Sequence, residues 1–311
     1  MLGRYADNLY WMARYLERAE NTARKIQAGL HYSITSSEGN SDLLKFLIEE
    51  NDQDTFKKKF KNFSLDNVLN YLINDEENEN NIKNLLHKAR MNGKIVRTAL
   101  TKEVSNSLNQ SWNSTQKLLD PPIEINNLPD IIEKVLNTGT VFRGSVYGTM
   151  LRNDTFNFIR IGTFIERSNN TASILNTKYY RILLRKSVYV SKIDYNRWEI
   201  LLRSLSAWRS FNWLSGEYLD PAAITNFLIF DERMPRSLSF CNKEILSNLS
   251  YLQKAYKIKY NSFNIAKKTQ NSLTSGIIRT VHNKKLYNFI KEYLKNNDKL
   301  HFTITRDFNL V

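Results

Sequence analysis

Residues 8–24 read NLYWMARYLERAENTAR, and residues 157–173 read NFIRIGTFIERSNNTAS. The two segments, 149 residues apart, are identical at six of 17 aligned positions, including the dipeptide Glu-Arg in both copies. Apolar residues in and just beyond the first segment recur at intervals of three and four: Leu9, Met12, Ala13, Leu16, Ala23, Ile26 and Leu30. This spacing predicts a long amphipathic helix at the start of the chain.

A second block repeats in the same order. Residues 70–76 read NYLINDE and residues 226–232 read NFLIFDE, a shift of 156 residues. Two blocks that recur in one order indicate a duplicated helical unit. The predicted fold class is therefore all-α, a duplicated helical bundle with two related halves around a pseudo-two-fold axis. We expect the helices that contain Leu9 and Phe158 to lie near that axis.

The composition excludes several classes of protein. The chain has 311 residues, 41% of them hydrophobic, and its 10 glycines and 5 prolines are too few for a collagen-like, disordered or turn-rich all-β protein. A single cysteine, Cys241, excludes a disulfide framework and a cysteine zinc site. No stretch approaches the ~18 apolar residues of a membrane span, and the first residues lack the apolar core of a signal peptide. We expect a cytoplasmic protein that does not enter the membrane.

The prolines suggest how the chain is divided. Pro121, Pro122 and Pro129 predict a linker, because proline removes an amide donor and disfavours helix before it. The predicted single domain, 1–311, then has a first helical repeat (1–120), a Pro-containing linker (121–129), a second helical repeat (130–250) and a basic C-terminal segment (251–311). Residues 302–305 alternate like a strand without a visible partner, so we predict an extended C-terminal tail.

Two glutamates of the first block lie at the edge of its apolar face. At 100° per residue, Glu20 falls about 40° from Leu16 and Glu17 about 100° from it. A carboxylate on such a face needs a cation or a hydrogen-bond donor. Arg24, four residues after Glu20, is placed to pair with it. The structural interpretation is a buried ion-pair network that fixes the helix register.

The functional interpretation is a polar binding cleft between the halves. The duplication pairs Glu17 with Glu166 and Arg18 with Arg167. Paired carboxylates can act as general acids or bases, and arginines can bind carboxylates or phosphates. No glycine-rich phosphate loop occurs. The histidines lack the Glu-x-x-His spacing of helical di-iron sites: His31, His87, His282 and His301. We therefore expect no metal and no cofactor.

Asp231 and Arg236 extend the candidate site. Asp231 ends the second block, and capping of the next helix is the first explanation for Asp231 and Ser237. The corresponding stretch of the first half, 78–81, has no arginine, so an anion site that uses Arg236 would be asymmetric.

A glycine pair lies in a predicted helix over residues 139–152. Gly144 and Gly148 are four residues apart, and each glycine costs a helix about 1 kcal/mol relative to alanine. Close helix packing is the simplest explanation for this pair.

The net charge of +14 is concentrated near the end of the chain. Residues 251–300 contain 11 basic residues and only two acidic ones, Glu292 and Asp298. Aromatic residues are interleaved with the lysines: Tyr256, Tyr260, Phe263, Tyr287, Phe289 and Tyr293. Such a segment can bind nucleic acid, or it can pack as helices with lysine stems along the surface.

Four stretches resemble the bacterial alpha-E domain family in the same order: residues 2–21, 89–97, 148–167 and 231–237. The chain departs from the family pattern at residues 78–81, at Met91 and at Thr163. The resemblance implies a helical fold of unassigned biochemical function. It also implies association with ATP-grasp ligases and transglutaminase-like proteins, hence a role in a peptide- or amide-bond-forming system. Arg152, in the third stretch, joins the candidate residues.

Three functions remain open. The leading hypothesis is a helical accessory or binding component of an ATP-grasp ligase-associated system. Its ligand would be a carboxylate-bearing peptide or the partner protein itself, and that partner would be an ATP-grasp ligase or a transglutaminase-like protein. One alternative is an enzyme that uses Glu17 or Glu166 as a general base in amide chemistry. Another is nucleic-acid binding through the basic C-terminal segment. The predicted cleft residues are Glu17, Arg18, Glu20, Arg24, Arg152, Glu166, Arg167, Asp231 and Arg236.

Overall fold

The computed structural model describes residues 3–35, 41–48, 52–177, 192–216, 219–275 and 283–310. Every regular element in these ranges is helical, and no strand occurs among them. The predicted all-α fold class is confirmed. The pseudo-two-fold arrangement of the halves stays a prediction.

The α-helices of the described ranges vary from about two turns to about nine turns. In chain order they are α1 (Gly3–Thr35), α2 (Ser41–Leu47), α3 (Gln53–Lys59), α4 (Leu65–Ile73), α5 (Ile82–Ile95), α6 (Lys102–Thr115), α7 (Leu128–Thr149), α8 (Asp154–Asn176), α9 (Lys192–Ser204), α10 (Trp208–Ser215), α11 (Pro221–Phe230), α12 (Leu238–Tyr256), α13 (Asn261–Thr274) and α14 (Asn283–Asp307). Short 3₁₀ turns occupy Arg97–Ala99 and Ile125–Asn127.

The chain folds into two compact units. The first unit comprises Met1–Arg14, Leu151–Leu202 and Ala207–Val311, and the second comprises Tyr15–Met150 and Arg203–Ser206. Helix α1 therefore contributes its residues up to Arg14 to the first unit and the rest to the second. The predicted linker, 121–129, lies inside the second unit, and the division into two repeats and a C-terminal segment stays a prediction.

Helix α8 forms the centre of the first unit. Of its 23 residues, 19 are buried, and it packs against α12 and α14, which both contact α13. Phe164 of α8 packs against Phe240 of α12. Gly162 allows the backbone of α1 to come close, because a Cβ at this position would collide with the carbonyl oxygen of Tyr10. A central helix that is buried on nearly all sides must pair its polar side chains internally.

The second unit is built from successive helices that pack on their neighbours. Helix α5 packs against α4 and α6, and α6 packs against α7. Phe56 of α3 is fully buried and stacks on Phe60 and Phe63, with the ring of Tyr71 edge-on to it. The aromatic residues of α3 and α4 thus form one local core.

The end of the chain is helical, so the predicted extended tail is wrong. Residues 302–305 lie in the last turns of α14. Leu300, Ile304 and Phe308 recur every four residues and are buried, whereas Phe302 is exposed. An alternation over four residues is a weak signal, and the helical spacing of the apolar residues around it decides the structure.

The start of α7 shortens the predicted linker. The helix begins at Leu128 and includes Pro129 in its first turn. Proline is tolerated there, because the first amide groups of a helix have no partner within the helix. The loop that contains Pro121 and Pro122 precedes it, as predicted.

The glycine pair of α7 does not mediate close packing, contrary to our expectation. Gly144 and Gly148 are exposed, and a Cβ on either residue would have no described atom within 4 Å. The close approach on this helix occurs at Gly139, which contacts the carboxylate of Glu20.

Candidate functional site

The first Glu-Arg block belongs to a buried ion-pair network in the second unit, here called the Glu20 cluster: Glu17, Glu20, Arg24 and Arg143. Arg24 donates to Glu20 Oε1 from Nε at 3.0 Å and from Nη2 at 2.7 Å, which confirms the predicted pair. Arg143 of α7 donates to both carboxylate oxygens of Glu20, and its Nη1 lies 3.6 Å from Glu17 Oε2. Glu17 and Glu20 are only 2% and 1% exposed. Two buried carboxylates are thus balanced by two guanidinium groups.

The second Glu-Arg block contributes to a network in the first unit, here called the Arg14 cluster: Tyr10, Trp11, Arg14, Glu166 and His301. Arg14 donates from Nε to Glu166 Oε2 at 2.9 Å and from Nη1 to the Tyr10 hydroxyl at 3.4 Å. The Tyr10 hydroxyl lies 2.8 Å from Nδ1 of His301. The guanidinium of Arg14 also lies 4.4 Å from the centroid of the Trp11 ring. An arginine from α1 therefore neutralises the buried glutamate of α8.

Burial shifts the pKa values of groups in and around the Arg14 cluster. The pKa of Tyr10 is raised to about 12 by burial, which outweighs the opposing effect of Arg14. The pKa of Asp7, one turn before Trp11, is raised to about 6 by burial, although the Trp11 side chain hydrogen-bonds to it. Burial likewise raises the pKa of Asp298 on α14, against the opposing charge of Arg14. The hydroxyl group of Tyr10 is therefore protonated at neutral pH, and the carboxyl group of Asp7 titrates at a pH of about 6.

The arginines of the two Glu-Arg pairs each reach the loop that caps a following helix. Arg18 donates from Nη1 to Asn80 Oδ1 at 2.7 Å. Arg167 donates from Nη1 to the carbonyl oxygen of Pro235 at 3.4 Å. We call these segments the Asp75 loop (residues 75–81) and the Asp231 loop (residues 231–237).

The two loops make corresponding hydrogen bonds. In each, the first aspartate accepts at Oδ1 from the backbone N–H two residues later, at 2.9 Å for Asp75 and 2.8 Å for Asp231. The last loop residue, Asn81 or Ser237, caps the next helix by accepting from the N–H three residues later. The same side chain donates back to the carbonyl oxygen of the aspartate, at 2.8 Å and 2.6 Å. The predicted cap at Ser237 is confirmed, and the Asp75 loop and the Asp231 loop share these three hydrogen bonds.

The structure also describes the other predicted arginines, Arg236 and Arg152. Arg236 is buried, and its carbonyl oxygen accepts from Thr171 Oγ1 at 2.8 Å. Arg152 is exposed in the loop after α7, with its guanidinium 4.3 Å from the ring centroid of Phe156. Four predicted residues belong to the second unit (Glu17, Arg18, Glu20 and Arg24) and five to the first (Arg152, Glu166, Arg167, Asp231 and Arg236). One cleft shared by all nine stays a prediction.

Sequence reasoning missed the arginines that neutralise the buried glutamates. Arg143 is 123 residues from Glu20, and Arg14 is 152 residues from Glu166. No local spacing connects such residues. The available signal was the pattern Gly139-x-x-x-Arg143, which places a residue without a side chain beside a cation on one helix face.

Two further properties concern ions and membranes. Within the described ranges, no group of three or more His, Cys, Asp or Glu side chains is placed to hold a metal ion. None of the described helices is both long and apolar enough to cross a membrane.

A groove in the first unit, here called the Phe227 groove, lies beside the Asp231 loop. It has a volume of about 600 Å³. Residues of α10 and α11, among them three phenylalanines, and charged residues of the Asp231 loop form its lining. Its lining is Phe211, Leu214, Ser215, Ala223, Asn226, Phe227, Phe230, Asp231, Glu232 and Arg233. Five of these ten residues are apolar and five are polar or charged; ligand sites likewise combine apolar surface with polar groups that fix the orientation of the ligand.

A second groove, here called the Leu136 groove, lies in the second unit. It has a volume of about 800 Å³ and is lined by Gln27, Leu30, Leu65, Ile125, Pro129, Ile132, Glu133, Leu136, Asn137 and Thr140. Among the lining residues that the structure describes, Glu133 carries the charge. The Phe227 groove is the stronger candidate, because it combines apolar walls with an exposed arginine and a stretch that carries the family resemblance.

The comparisons with known proteins agree with the repeated Glu-Arg pairs. Residues 1–308 match the Alpha-E family, described as a predicted alpha-helical domain with a conserved ER motif. Glu-Arg dipeptides of this kind stand at 17–18 and 166–167, the positions repeated in the duplicated block. No curated protein and no solved structure matches the chain. Because the match covers nearly the whole sequence, the chain belongs to the Alpha-E family.

Proposed function

We propose that the chain is a helical binding component of an amide- or peptide-bond-forming system, associated with an ATP-grasp-type ligase or a transglutaminase-like protein. The Phe227 groove receives a peptide segment of that partner or of its substrate. The observation that carries this proposal is the groove itself, an aromatic-walled site beside the Asp231 loop. That loop is one of the stretches in which the sequence resembles the family.

Exposed apolar side chains at the groove support a protein or peptide ligand. Trp213 is 84% exposed and Leu214 is 42% exposed, on the last turns of α10. Exposed tryptophan and leucine beside an apolar groove gain free energy when a partner covers them. Tryptophan is also enriched among the residues that dominate binding energies at interfaces.

The two Glu-Arg glutamates serve the scaffold in this proposal. A general base must reach the proton that it removes from the substrate. Glu17 is nearly inaccessible beside Arg143, and Glu166 is buried with an N–H of Arg14 bonded to it. These contacts favour a role in holding helices together over the general-base alternative.

Purification of the tagged protein with its partners tests the proposal. We expect an ATP-grasp-type or transglutaminase-like protein to co-purify with the unchanged chain and to be lost with Leu214→Asp. Leu151→Asp is the matched control, because Leu151 is 77% exposed but does not line the groove. Recovery of the partner with both variants would reject the groove as its site. Absence of any such enzyme from all three preparations would reject the association.

Nucleic-acid binding is a second candidate function, favoured by a row of lysines on α14. Lys291, Lys295 and Lys299 are exposed and follow one another at intervals of four residues, which places them on one side of the helix. The interleaved aromatic residues do not form an exposed stacking surface: Tyr260 and Tyr293 are buried, and Phe289 packs on Phe230. Binding would therefore depend on charge, which makes it sensitive to salt.

A further inference from the structure

Asp231 restricts the orientation of Arg233, and both residues line the Phe227 groove. Arg233 donates from Nε to Asp231 Oδ1 at 3.0 Å and from Nη2 to Oδ2 at 2.7 Å. The backbone N–H of Arg233 donates to the same Oδ1 at 2.8 Å. Two parallel hydrogen bonds to one carboxylate restrict the plane of a guanidinium. The side chain nevertheless remains 73% exposed, so a ligand can reach it.

The guanidinium retains donors for a ligand. An arginine has five N–H donors, and a carboxylate that binds two of them leaves three. Among the described residues, these three contact no acceptor. The neighbouring acidic residue, Glu232, is itself paired with Lys243 at 2.6 Å, so its charge is balanced. The groove lining therefore offers the remaining hydrogen-bond donors of a guanidinium group whose charge is paired with Asp231.

The Asp75 loop shows that the turn does not require this arginine. It makes the corresponding backbone hydrogen bonds with Glu77 at the position of Arg233. The cation that pairs with Asp75 is instead Lys59 of α3, at 2.8 Å from Oδ1. The same loop therefore forms with an acidic residue at this position, provided that another residue supplies the cation for its aspartate.

We infer that the Phe227 groove binds the free C-terminal end of a peptide, an inference that rests on the proposed function and specifies its ligand. Arg233 pairs with the terminal α-carboxylate. The exposed amide of Asn226, in the groove wall, hydrogen-bonds the peptide backbone. The last side chain of the peptide, an apolar one, packs against Leu214, which is 42% exposed, beside the largely buried rings of Phe227 and Phe230. A volume of about 600 Å³ accommodates the last two or three residues of such a peptide.

Calorimetric titration with two matched peptides tests this inference. The probes are acetyl-Gly-Leu-Phe with a free C-terminal carboxylate and the same peptide with a C-terminal amide. We expect the carboxylate form to bind the unchanged protein at least about fivefold more tightly, because a charge-assisted pair is replaced by neutral contacts in the amide. Arg233→Gln should remove this preference and bind both peptides with the affinity of the amide form. Arg209→Gln, an exposed arginine of α10 outside the groove lining, should behave like the unchanged protein.

The outcomes separate this inference from the proposed function. Equal affinity of the unchanged protein for both peptides, or an unchanged preference in Arg233→Gln, overturns carboxylate recognition by Arg233. Failure of both peptides to bind overturns it as well. In each case the proposed function is still decided independently by the loss or recovery of the partner with Leu214→Asp.

Discussion

The carboxylate of Glu20 lies where the side chain of residue 139 would begin, a space that is open because Gly139 has no Cβ. Arg143, one turn later on α7, donates to the same carboxylate. A glycine and an arginine four residues apart therefore form the two sides of one carboxylate site. A Cβ at residue 139 would overlap Glu20 Oε2, so a larger residue there requires this carboxylate to move from the position in which Arg143 binds it.

We expect Gly139→Ala to lower the free energy of unfolding by about 2 kcal/mol. The added methyl group overpacks a buried site, at a cost of ~1–3 kcal/mol, and disturbs the ion pair. Alanine recovers only up to ~1 kcal/mol through its higher helix propensity. Urea unfolding followed by circular dichroism measures the difference.

Gly144→Ala is the control for this change, on the same helix. This glycine is exposed, and a Cβ there would have no described neighbour within 4 Å. Only the helix propensity changes, so the variant should be more stable by about 0.5–1 kcal/mol. Effects of the same sign at both glycines would contradict this account of Gly139.

Local spacing was sufficient to predict the helices and the pair of Glu20 with Arg24, because both depend on residues three or four apart. Residues 302–305 alternate like a strand but are helical, because the apolar residues at 300, 304 and 308 recur at helical spacing and are buried. The partners Arg143 and Arg14 depend on how distant helices pack, which no local pattern encodes. The Phe227 groove was missed for the same reason, since it is formed by the packing of α10 and α11 beside the Asp231 loop.

The buried pair of Arg14 with Glu166 should be strongly coupled. Arg14→Met leaves a buried carboxylate without its main cation, and we expect a loss of about 3–5 kcal/mol. The double change Arg14→Met with Glu166→Leu should cost less than the sum of the two single changes, because no uncompensated charge remains. A double-mutant cycle from urea unfolding measures this coupling.

An exposed pair serves as the comparison. Lys134 and Asp130 lie 3.0 Å apart on α7 with both side chains substantially exposed. We expect a coupling of only about 0.3–0.5 kcal/mol, as is usual for such pairs on helices. Similar coupling energies for the two pairs would argue against a special role for the Arg14 cluster.

Asp7 should make stability depend on pH near neutrality. Its pKa is raised by burial from 3.8 to about 6, so between these values the folded state binds more protons than the unfolded state. The contribution of Asp7 to the free energy of unfolding is therefore most favourable below pH 3.8, and it falls as the pH rises through about 6. Because the group is only half-buried, we expect a loss of about 1 kcal/mol.

Asp7→Asn should remove this dependence, since asparagine does not ionise and can still accept from Trp11. The variant should be more stable than the unchanged protein at pH 7 and equally stable at pH 4, in unfolding curves recorded at both pH values. Asp54→Asn, at an aspartate whose side chain is 91% exposed, should leave the dependence in place. A pH profile of Asp7→Asn that parallels the unchanged protein would refute the assignment.

The two capping loops should tolerate an exchange of their caps. Asn81→Ala and Ser237→Ala each remove a cap and a hydrogen bond to the aspartate carbonyl, and we expect each to cost about 1–2 kcal/mol. Asn81→Ser and Ser237→Asn keep a capping oxygen and should cost less than half as much. If the exchanged caps were as damaging as alanine in urea unfolding, the local equivalence of the loops would not extend to their energetics.

The lysine row of α14 should set the salt dependence of any binding to nucleic acid. If Lys291, Lys295 and Lys299 each neutralise a phosphate, their replacement by glutamine should lower the slope of log K against log salt by roughly two to three. Fluorescence anisotropy with a labelled DNA duplex, between about 50 and 200 mM salt, measures this slope. The matched control replaces three exposed lysines of the second unit, Lys57, Lys58 and Lys61, and should leave the slope unchanged. If both triple changes reduce the slope equally, the net charge of the chain attracts the duplex, and not a particular surface. If the unchanged protein does not bind the duplex, nucleic acid is removed from its candidate functions.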